Sequence, residues 1–531
     1  MGLRVAILCG LWLLAGVALI TGGRTDFVIA DDAYYYFEIA RNAALGQGFT
    51  FDGRSPTNGF HPLWAWSLVP VFKVLPNHDW LPIHIAQAMS LLCLATAAWL
   101  LFRLFDRHGA PVSGSFAAAA LLLNPFSASL VFRGMEAPLC VLALMVSISV
   151  FDAVHRNGRY GLRELGLLGA SAGFVFLART DGFLWAGTLA AVLARDRLRG
   201  KGLRSAATRL AGFTAGAAVV ASPWILWNLV AFGTVAQTSA TAKRMFHLYG
   251  RLPQIAPAGV HDAGDVATAL IGAARNVLLI GESSFRFAAM EEWVGPTGKT
   301  YGLVAAAAAY ATVLAGCAWV FRRRHAAEHP GSRSLVRSIG TTLVLFLFVH
   351  FFVYAWGFGS YANWYFLVPV LVACIASGAV FAWIPPAKRG WNRALFWLHA
   401  GLLAAASWHF AGRYFEPRPA RSDSDLQWLG RVLAPGTRVG AWNAGEVGYF
   451  FSFHFPDRPV VNLDGVVNNE LTRAARIGHY EEYVLDHVDV VVEPMVRLGT
   501  ILGKDGADAF IAKHVRHRGN AGRRPVSDLI R

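Results

Sequence analysis

Long apolar segments recur along the whole chain and constrain its fold more than any other feature. Most are about 18 residues or longer, the length that a helix needs to cross a membrane, and only the two beside Asp181 are shorter. The predicted spans are residues 4–21, 81–104, 113–132, 137–154, 164–178, 183–196, 210–229, 301–321, 336–356, 364–384 and 394–411. Hydrophobic residues make up 55% of the chain and charged residues 15%. We therefore expect an α-helical multi-pass membrane protein with about eleven spans plus interfacial helices.

The net charge of +15 invites a nucleic-acid partner, but the positions of the basic residues argue against one. Many of them fall in short segments between spans, as in Arg195–Arg209, Arg322–Arg337 and Lys388–Arg393. Basic residues in short loops mark the cytoplasmic side of a membrane. This bias predicts an inner-membrane protein with a cytoplasmic N-terminus. Residues 22–80, 229–300 and the tail after about 412 then lie outside.

The first apolar run is expected to stay in the protein as an anchor. Only Arg4 precedes it, and no cleavage site of small residues follows it. The cysteines all lie inside apolar runs, which indicates packing rather than a disulfide framework or a zinc site. They are Cys9, Cys93, Cys140, Cys317 and Cys374.

The chain divides into a membrane domain, residues 1–411, and a tail, residues 412–531. In the tail, a helix is predicted over Asp425–Leu433, and strands over Arg438–Trp442, Pro459–Leu463 and Val488–Val492. The alternation of strands and helices predicts a small α/β domain outside the membrane. Only the basic end, Arg516–Arg531, has the composition of a low-complexity linker.

The outer loop, residues 22–80, is too long and too patterned to be a plain connection. A helix is predicted over residues 32–45, followed by a loop rich in glycine, asparagine and proline. The next segment, His61–Pro70, is apolar but shorter than a span and ends at a proline. Its tryptophans, Trp64 and Trp66, predict an interfacial helix at the level of the lipid headgroups.

Two aspartates, Asp31 and Asp32, stand where the chain leaves the first span. Carboxylates at a membrane boundary are costly unless they meet water, a cation or a substrate. Asp31, Tyr35, Glu38 and Asn42 follow helical spacing and are expected to share one face. A simpler reading makes Asp31 an N-cap and Asp32 a favourable first-turn charge, and the two readings are compatible.

The outer loop resembles the membrane glycosyltransferases of the GT-C fold. The stretch from Asp31-Asp32-Ala33-Tyr34-Tyr35-Tyr36 to Thr57-Asn58-Gly59-Phe60-His61-Pro62-Leu63-Trp64 is similar to the bacterial protein-mannosyltransferase-like and lipid A aminoarabinose-transferase-like (glycosyltransferase family 39-like) families. Weaker matches follow in order at Arg133–Glu136, Arg179–Gly182, Trp227–Asn228, Phe232–Gly233 and Asn363–Tyr365.

The resemblance implies an inverting hexosyl- or pentosyltransferase whose donor sugar is carried on a polyprenyl phosphate. The acceptor is a lipid, a glycan or a protein outside the membrane. An acid of the outer loop would take the proton of the acceptor hydroxyl, with Asp31 and Asp32 as catalytic candidates. Asp31 is preferred because it is the first acid of the pair.

A phosphate leaving group needs cationic or hydrogen-bonding partners. The candidates are His61, Lys243, Arg244 and Arg179, with Arg133 as a further outer cation. Acceptor binding or orientation is assigned to Tyr35, Glu38, Glu136 and Asp181. At His61 the chain departs from the aminoarabinose-transferase pattern, which has a lysine there, so the phosphate contact is expected to depend more on Lys243.

Structural alternatives stand beside these assignments. Lys243 and Arg244 can be solvated charges or can extend toward lipid headgroups. Arg179 and Asp181 are spaced as a structural ion pair, which we favour slightly, and Arg133 and Glu136 as a pair on one helix.

In the tail, Asn443–Glu446 and Asn462–Gly465 follow predicted strands. Ligands often bind at such strand ends, but turn formation explains these residues equally well and is favoured. Acceptor contact by Asp464 is the less favoured alternative. A divalent cation at the acidic pair stays open, since carboxylates suit hard metals but no set of ligands is evident.

A membrane transporter or lipid flippase is the alternative function. Transporters place polar sites near the middle of the membrane, often in repeated halves. Here the spans are nearly free of charge, no internal repeat is evident, and the acidic pair lies at the boundary. These features favour the enzyme.

Overall fold

The computed structural model describes residues 1–23, 25–158, 160–198, 203–249, 339–340, 342–347, 349–350, 367–382, 423–492, 508–521 and 524–529. The predicted spans 301–321 and 394–411 lie outside these residues. The predicted span 336–356 is described in part.

The membrane part is helical. Its helices are α1 (Gly2–Thr21), α4 (Leu81–Arg107), α5 (Pro111–Leu123), α6 (Pro125–Val131), α7 (Ala137–Asn157), α8 (Leu162–Ala178), α9 (Phe183–Leu198), α10 (Leu203–Phe232), α11 (Thr238–Tyr249) and α12 (Leu367–Ala382). Among the described residues, four segments are long and apolar enough to cross a membrane: Gly2–Thr21, Leu81–Arg107, Ala137–Asn157 and Ala206–Phe232. The helices α8, α9 and α12 have 17, 16 and 16 residues.

The predicted span 113–132 is wrong as a single helix. It consists of α5 and α6, which are separated at Asn124. Asn124 has extended backbone angles, φ −68° and ψ 120°, and Pro125 follows it. Proline disfavours helical angles in the residue before it, so the helix is interrupted there.

The outer loop holds two helices, α2 (Asp31–Ala44) and α3 (Pro62–Val74). Helix α2 begins with two acidic residues, and the positive end of the helix dipole stabilises their negative charge. Helix α3 begins with Pro62, whose ring has the helical φ and whose missing N–H needs no partner at this position. The two helices pack against each other, so the outer loop has a defined structure of its own.

The described tail residues between 423 and 529, which we call the C-terminal unit, combine helices with a sheet. Its helices are α13 (Asp423–Val432), α14 (Ala444–His454), α15 (Asn469–Arg476) and α16 (Tyr480–His487). Its strands are β1 (Val439–Ala441), β2 (Val460–Asn462), β3 (Val490–Val492), β4 (Val515–Ala521) and β5 (Arg524–Leu529), in the order β2-β1-β3-β5-β4. Strands β1, β2 and β3 are parallel, and β5 is antiparallel to β3 and β4.

Two tail predictions differ in outcome. The helix and three strands predicted between residues 425 and 492 are present as α13, β1, β2 and β3 within a few residues. The basic end, by contrast, is not a linker, because β4 and β5 form a hairpin there with paired backbones. Its residues are mostly charged and polar, so the alternation of apolar and polar residues that predicts a strand is not evident in this segment.

One hydrophobic core joins the outer loop to the C-terminal unit. It includes Phe37 and Trp64 from the loop and Tyr449 and Phe451 from α14, all buried. The contact is close at Gly59, where a Cβ atom would collide with the backbone oxygen of Val466. The tail is therefore packed directly on the loop that carries the acidic pair.

Candidate functional site

A cavity of about 500 Å³ lies where the outer loop, the ends of α8 and α10, the start of α11 and the C-terminal unit meet. Its volume is typical of small-molecule sites. Its polar lining residues are Asp32, Tyr35, Tyr36, His61, Glu136, Arg179, Thr180, Asp181, Gln237, Ser239 and Lys243. Apolar residues complete the wall, among them Phe183, Ile225 and Val235.

Asp32 and Tyr36 face the cavity from successive turns of α2. The Nζ atom of Lys243 lies 3.2 Å from Oδ2 of Asp32, and the two side chains are 24% and 28% exposed. The predicted acid and the predicted cation are thus neighbours on one cavity wall. An ion pair that is open to the cavity leaves both groups accessible to a bound ligand.

The start of α11, which carries Lys243, is held by buried amides. Asn58 accepts a hydrogen bond from the backbone N–H of Thr238 (3.0 Å) and donates to Asn228 and to the carbonyl of Ala236 (3.2 Å). Gln237 donates to the carbonyl of Phe60. The side chain of Arg244, the next predicted cation, lies outside the described part of the structure.

Arg179 is buried and bonded to two carboxylates. It donates to Glu136, and its Nε and Nη2 atoms lie 3.2 Å from the oxygens of Asp181. The favoured ion pair of Arg179 with Asp181 is present. Arg133 and Glu136 do not share a helix as predicted, because residues 132–136 lie between α6 and α7, and Glu136 binds Arg179.

His61 lies between this charged cluster and α3. Its Nδ1 atom accepts a hydrogen bond from the N–H of Thr180 at 3.3 Å, so the neutral ring carries its proton on Nε2. That Nε2 atom is 3.8 Å from Oε1 of Glu136. Burial lowers the pKa of His61 to about 4, so the ring is an uncharged donor near neutral pH.

Asp31 faces away from the cavity, toward the C-terminal unit. Its carboxylate accepts hydrogen bonds from the N–H groups of Gly445 (3.2 Å) and Glu446 (3.0 Å). The N-cap of α2 is Ala30, so the prediction that Asp31 caps its own helix is wrong. Asp31 caps α14 instead. Burial, with smaller effects of Asp32 and Glu446, raises the pKa of Asp31 to about 6.

Tyr35 and Glu38, both predicted to contact or orient the acceptor, also face the C-terminal unit. The Tyr35 hydroxyl lies at the cavity edge and donates to Oδ2 of Asp464 at 3.0 Å. Glu38 does not line the cavity and forms an ion pair of 2.9 Å with Arg41. Helical spacing therefore placed these side chains on one face correctly, but most of that face contacts protein.

Two residues matter more than sequence reasoning suggested. Asp464 was expected chiefly to form a turn; its Oδ1 accepts from the N–H of Val466 at 2.9 Å, while Oδ2 binds Tyr35. Burial raises the pKa of Asp464 to about 7. Asn58 was only part of a motif, yet it is fully buried and joins the outer loop to α10 and α11. Nothing in its local sequence signals those partners.

A metal site is not evident in the described part of the chain, where no group of three or more His, Cys, Asp or Glu side chains is arranged to hold an ion.

Comparison with known proteins gives the fold. The chain aligns with the apo oligosaccharyltransferase of Archaeoglobus fulgidus at a TM-score of 0.58 and 12% identity, over 97% of this chain and 73% of that one. ArnT from Cupriavidus metallidurans bound to undecaprenyl phosphate aligns at 0.57 and 13% identity, over 97% of both chains. AglB from Archaeoglobus fulgidus, in complex with an inhibitory peptide and a dolichol-phosphate, aligns at 0.57 and 12% identity, over 95% and 73%.

The sequence comparisons are narrower. A family model described as a domain of unknown function (DUF8728) matches residues 419–522. A search of curated proteins finds no match.

The protein is therefore a membrane protein with the GT-C fold. The resemblance that the outer-loop motif indicates is confirmed at the level of fold. At 12–13% identity, the likeness leaves activity and substrates to be argued from the cavity.

Proposed function

We propose that the protein is an inverting glycosyltransferase that moves a sugar from a polyprenyl-phosphate donor to an acceptor outside the cytoplasmic membrane. The observation that carries this proposal is the ion pair of Asp32 and Lys243 in the cavity. The pair supports the proposal because a carboxylate can accept a proton and an ammonium can bind a phosphate, in a fold whose structural neighbours are bound to undecaprenyl phosphate and dolichol-phosphate.

In the proposed reaction Asp32 is the general base. It takes the proton of the acceptor hydroxyl while the oxygen attacks the anomeric carbon of the sugar. The bond from that carbon to the phosphate oxygen breaks, and the phosphate leaves with the electron pair. A single displacement of this kind inverts the anomeric configuration. We assign the base to Asp32 rather than Asp31 because Asp32 lines the cavity, whereas Asp31 is bonded to Gly445 and Glu446.

The leaving phosphate is stabilised by Lys243 and by the Nε2–H of His61. A fixed cation and a neutral donor both favour negative charge that develops in the transition state. When the phosphate binds Lys243, the ion pair between Lys243 and Asp32 weakens. The Asp32 carboxylate then serves as the base. Arg179 is not assigned to the phosphate, because its guanidinium forms ion pairs with Glu136 and Asp181. Its role is to fix those two carboxylates, which accept hydrogen bonds from sugar or acceptor hydroxyls.

The polyprenyl chain is assigned to the apolar side of the cavity. Phe183 at the start of α9 and Val235 after α10 line the cavity and are 57% and 59% exposed. Phe183 is the first residue of α9, and Val235 lies in the short segment between α10 and α11. A lipid chain that lies there keeps its hydrocarbon in the bilayer while the phosphate reaches Lys243.

The proposed topology places the outer loop and the C-terminal unit outside, as an extracytoplasmic α/β domain, and the N-terminus in the cytoplasm. The two outer elements share one core, so they must lie on the same side. The Arg-rich short loops support the orientation. The acceptor is a lipid, a glycan or a protein.

The direct test is mass spectrometry of lipids and envelope glycans from cells that lack the protein. We expect one sugar modification to disappear and its polyprenyl-phosphate carrier to accumulate. Complementation with the wild type should reverse both changes, while Asp32→Asn at equal expression should reverse neither. Unchanged lipids and glycans in the deletion strain would contradict the proposed activity.

A further inference from the structure

The first turn of α2 is held, on the side away from the cavity, by the C-terminal unit. The Asp31 carboxylate binds the N–H groups of Gly445 and Glu446, in the first turn of α14. Those amides have no partner within their own helix, and the end of a helix where they lie favours a negative charge. Asn443, the N-cap of α14, makes no side-chain cap bond, so Asp31 fills that role from a distant part of the chain.

One turn later, Tyr35 is fixed by the same unit. Its hydroxyl donates to Asp464 at 3.0 Å and accepts from the backbone N–H of Ala444 and the side-chain amide of Asn462, each at 3.1 Å. A tyrosine hydroxyl has one proton to donate, and Asp464 receives it. These three hydrogen-bond partners all belong to the C-terminal unit. The Tyr35 ring packs edge-on against Phe51, with centroids 5.3 Å apart.

The approach of the two elements is closer than a side chain at position 445 allows. A Cβ atom at Gly445 would collide with the backbone oxygen of Asp31. The backbone of α14 therefore lies directly against the backbone of the acidic turn. Contact at this distance fixes the position of α2 and not merely its side chains.

Asp32 is the residue next to this anchored position, on the neighbouring face of the helix. With 3.6 residues per turn, holding Asp31 and Tyr35 leaves Asp32 and Tyr36 turned toward the cavity. A small rotation of α2 would carry the Asp32 carboxylate away from Lys243. Misplacement of a reacting group by about 1 Å costs on the order of 100-fold in rate.

We propose that the C-terminal unit is a positioning element for the reacting carboxylate, and that it acts through Asp31 and Tyr35, which aim Asp32 into the cavity. This assigns a role to the segment that the family model of unknown function matches. The proposal rests on the proposed function, because aiming Asp32 matters only where Asp32 is the base. Asp31 and Tyr35 are positioning residues here, not catalytic ones.

The test compares three variants of the full-length protein in detergent. Tyr35→Phe removes the hydroxyl and keeps the ring, and Asp31→Asn keeps the size but removes the charge. Tyr449→Phe is the matched control, because it removes a tyrosine hydroxyl from the same interface, where it donates to the carbonyl of Asp79 and not to the acidic turn. The donor is the polyprenyl-phosphate sugar purified from cells that lack the protein.

We expect kcat to fall by about 10- to 100-fold in Tyr35→Phe and Asp31→Asn, with the donor KM unchanged. Hydrogen exchange of the amides in residues 31–37 should rise in both variants, while Tyr449→Phe should match the wild type in rate. Binding of undecaprenyl phosphate should be unchanged in all three. If Asp31→Asn does not fold, Asp464→Asn takes its place and should give a smaller loss of kcat in the same direction.

Two results would overturn the inference while the proposed function stands. In one, Tyr35→Phe and Asp31→Asn turn over like the wild type while Asp32→Asn is inactive. In the other, Tyr449→Phe loses as much kcat as Tyr35→Phe. The loss of kcat would then come from weaker attachment of the C-terminal unit in general, and not from the contacts of Tyr35 and Asp31. An Asp32→Asn enzyme with normal turnover would instead refute the proposed base itself.

Discussion

The ammonium of Lys243 lies 3.2 Å from the carboxylate of Asp32, although 211 positions separate the two residues in the sequence. The pair lines the cavity and joins the outer loop to α11, so the geometry of each group depends on the other. Both groups line the cavity, so a ligand bound there can contact either one.

Asp32→Asn should abolish turnover while the donor still binds. Asparagine keeps the size of the side chain but cannot accept the proton of the acceptor hydroxyl. General-base catalysis contributes about 10²–10⁴-fold, and kcat should fall by at least that factor. Turnover of the polyprenyl-phosphate sugar by the purified variant measures the effect.

Its counterpart, Asp31→Asn, separates the two acids. Because Asp31 contacts the amides of α14 and not the cavity, its loss should be smaller than that of Asp32→Asn. An inactive Asp31→Asn beside an active Asp32→Asn would restore the sequence-based preference for Asp31.

Lys243→Met should weaken the use of the phosphate-linked donor. Methionine has a similar length and no charge, so the leaving phosphate loses its cation. Removal of one stabilising donor of this kind costs about 10²–10³-fold in kcat. Lys73→Met is the matched control, since Lys73 is exposed near the end of α3 and outside the cavity. Equal losses in both variants would show that the effect is not specific to Lys243.

His61 should show no titration in the neutral range. Its pKa is lowered by burial from 6.5 to about 4, so the folded protein keeps the ring neutral where an unfolded chain would protonate it. As the pH falls from 6.5 toward 4, the unfolded state binds the additional proton and His61 makes folding less favourable.

His61→Gln, whose amide can still donate a hydrogen bond, should therefore keep the wild-type dependence of kcat/KM on pH between about pH 5 and pH 8. The same variant should lose less thermal stability on acidification than the wild type. A limb in the wild-type profile near 6.5 that is absent in His61→Gln would refute the neutral role.

The fold was predictable where a local pattern determines it. Apolar length gives α1, α4 and α7, and the alternation of strands and turns gives β1 to β3, because each signal lies within the segment itself. The break at Asn124 was missed since the apolar composition continues across Pro125. The hairpin of β4 and β5 was missed because pairing with β3, and not its own basic composition, defines it.

The candidate site was predictable in its members more than in its contacts. Residue type and motif order pointed to Asp32, His61, Lys243, Arg179, Glu136 and Asp181, and the structure places all six on one cavity. The sequence alone could not divide Asp31 from Asp32, because adjacent helical residues face different neighbours. That division depends on where α14 lies, more than 400 positions away.

The orientation of the protein can be tested by labelling single cysteines with a membrane-impermeant maleimide. Gln47 in the outer loop and Glu470 in the C-terminal unit are exposed and should react from outside the cytoplasmic membrane. Arg156, exposed near the end of α7, should react only after the membrane is opened. Labelling of Arg156→Cys in intact spheroplasts would reverse the proposed orientation.

Asn58→Leu should destabilise the site without removing any group that touches the substrate. Its amide binds Asn228 and the carbonyl of Ala236, and its oxygen accepts from Thr238 and from Asn469 of the C-terminal unit. Leucine fills the space but removes these bonds, and the buried Asn228 oxygen and Thr238 N–H each lose a partner at a cost of about 1–3 kcal/mol. We expect a clear drop in the unfolding temperature in detergent. The start of α11 should also be less firmly fixed, which would be seen as faster hydrogen exchange in residues 238–243.

Asn157→Leu, on an exposed residue at the end of α7, is the control and should leave both measurements unchanged. Normal stability and exchange in Asn58→Leu would show that the start of α11 is fixed by other contacts, such as those of Gln237.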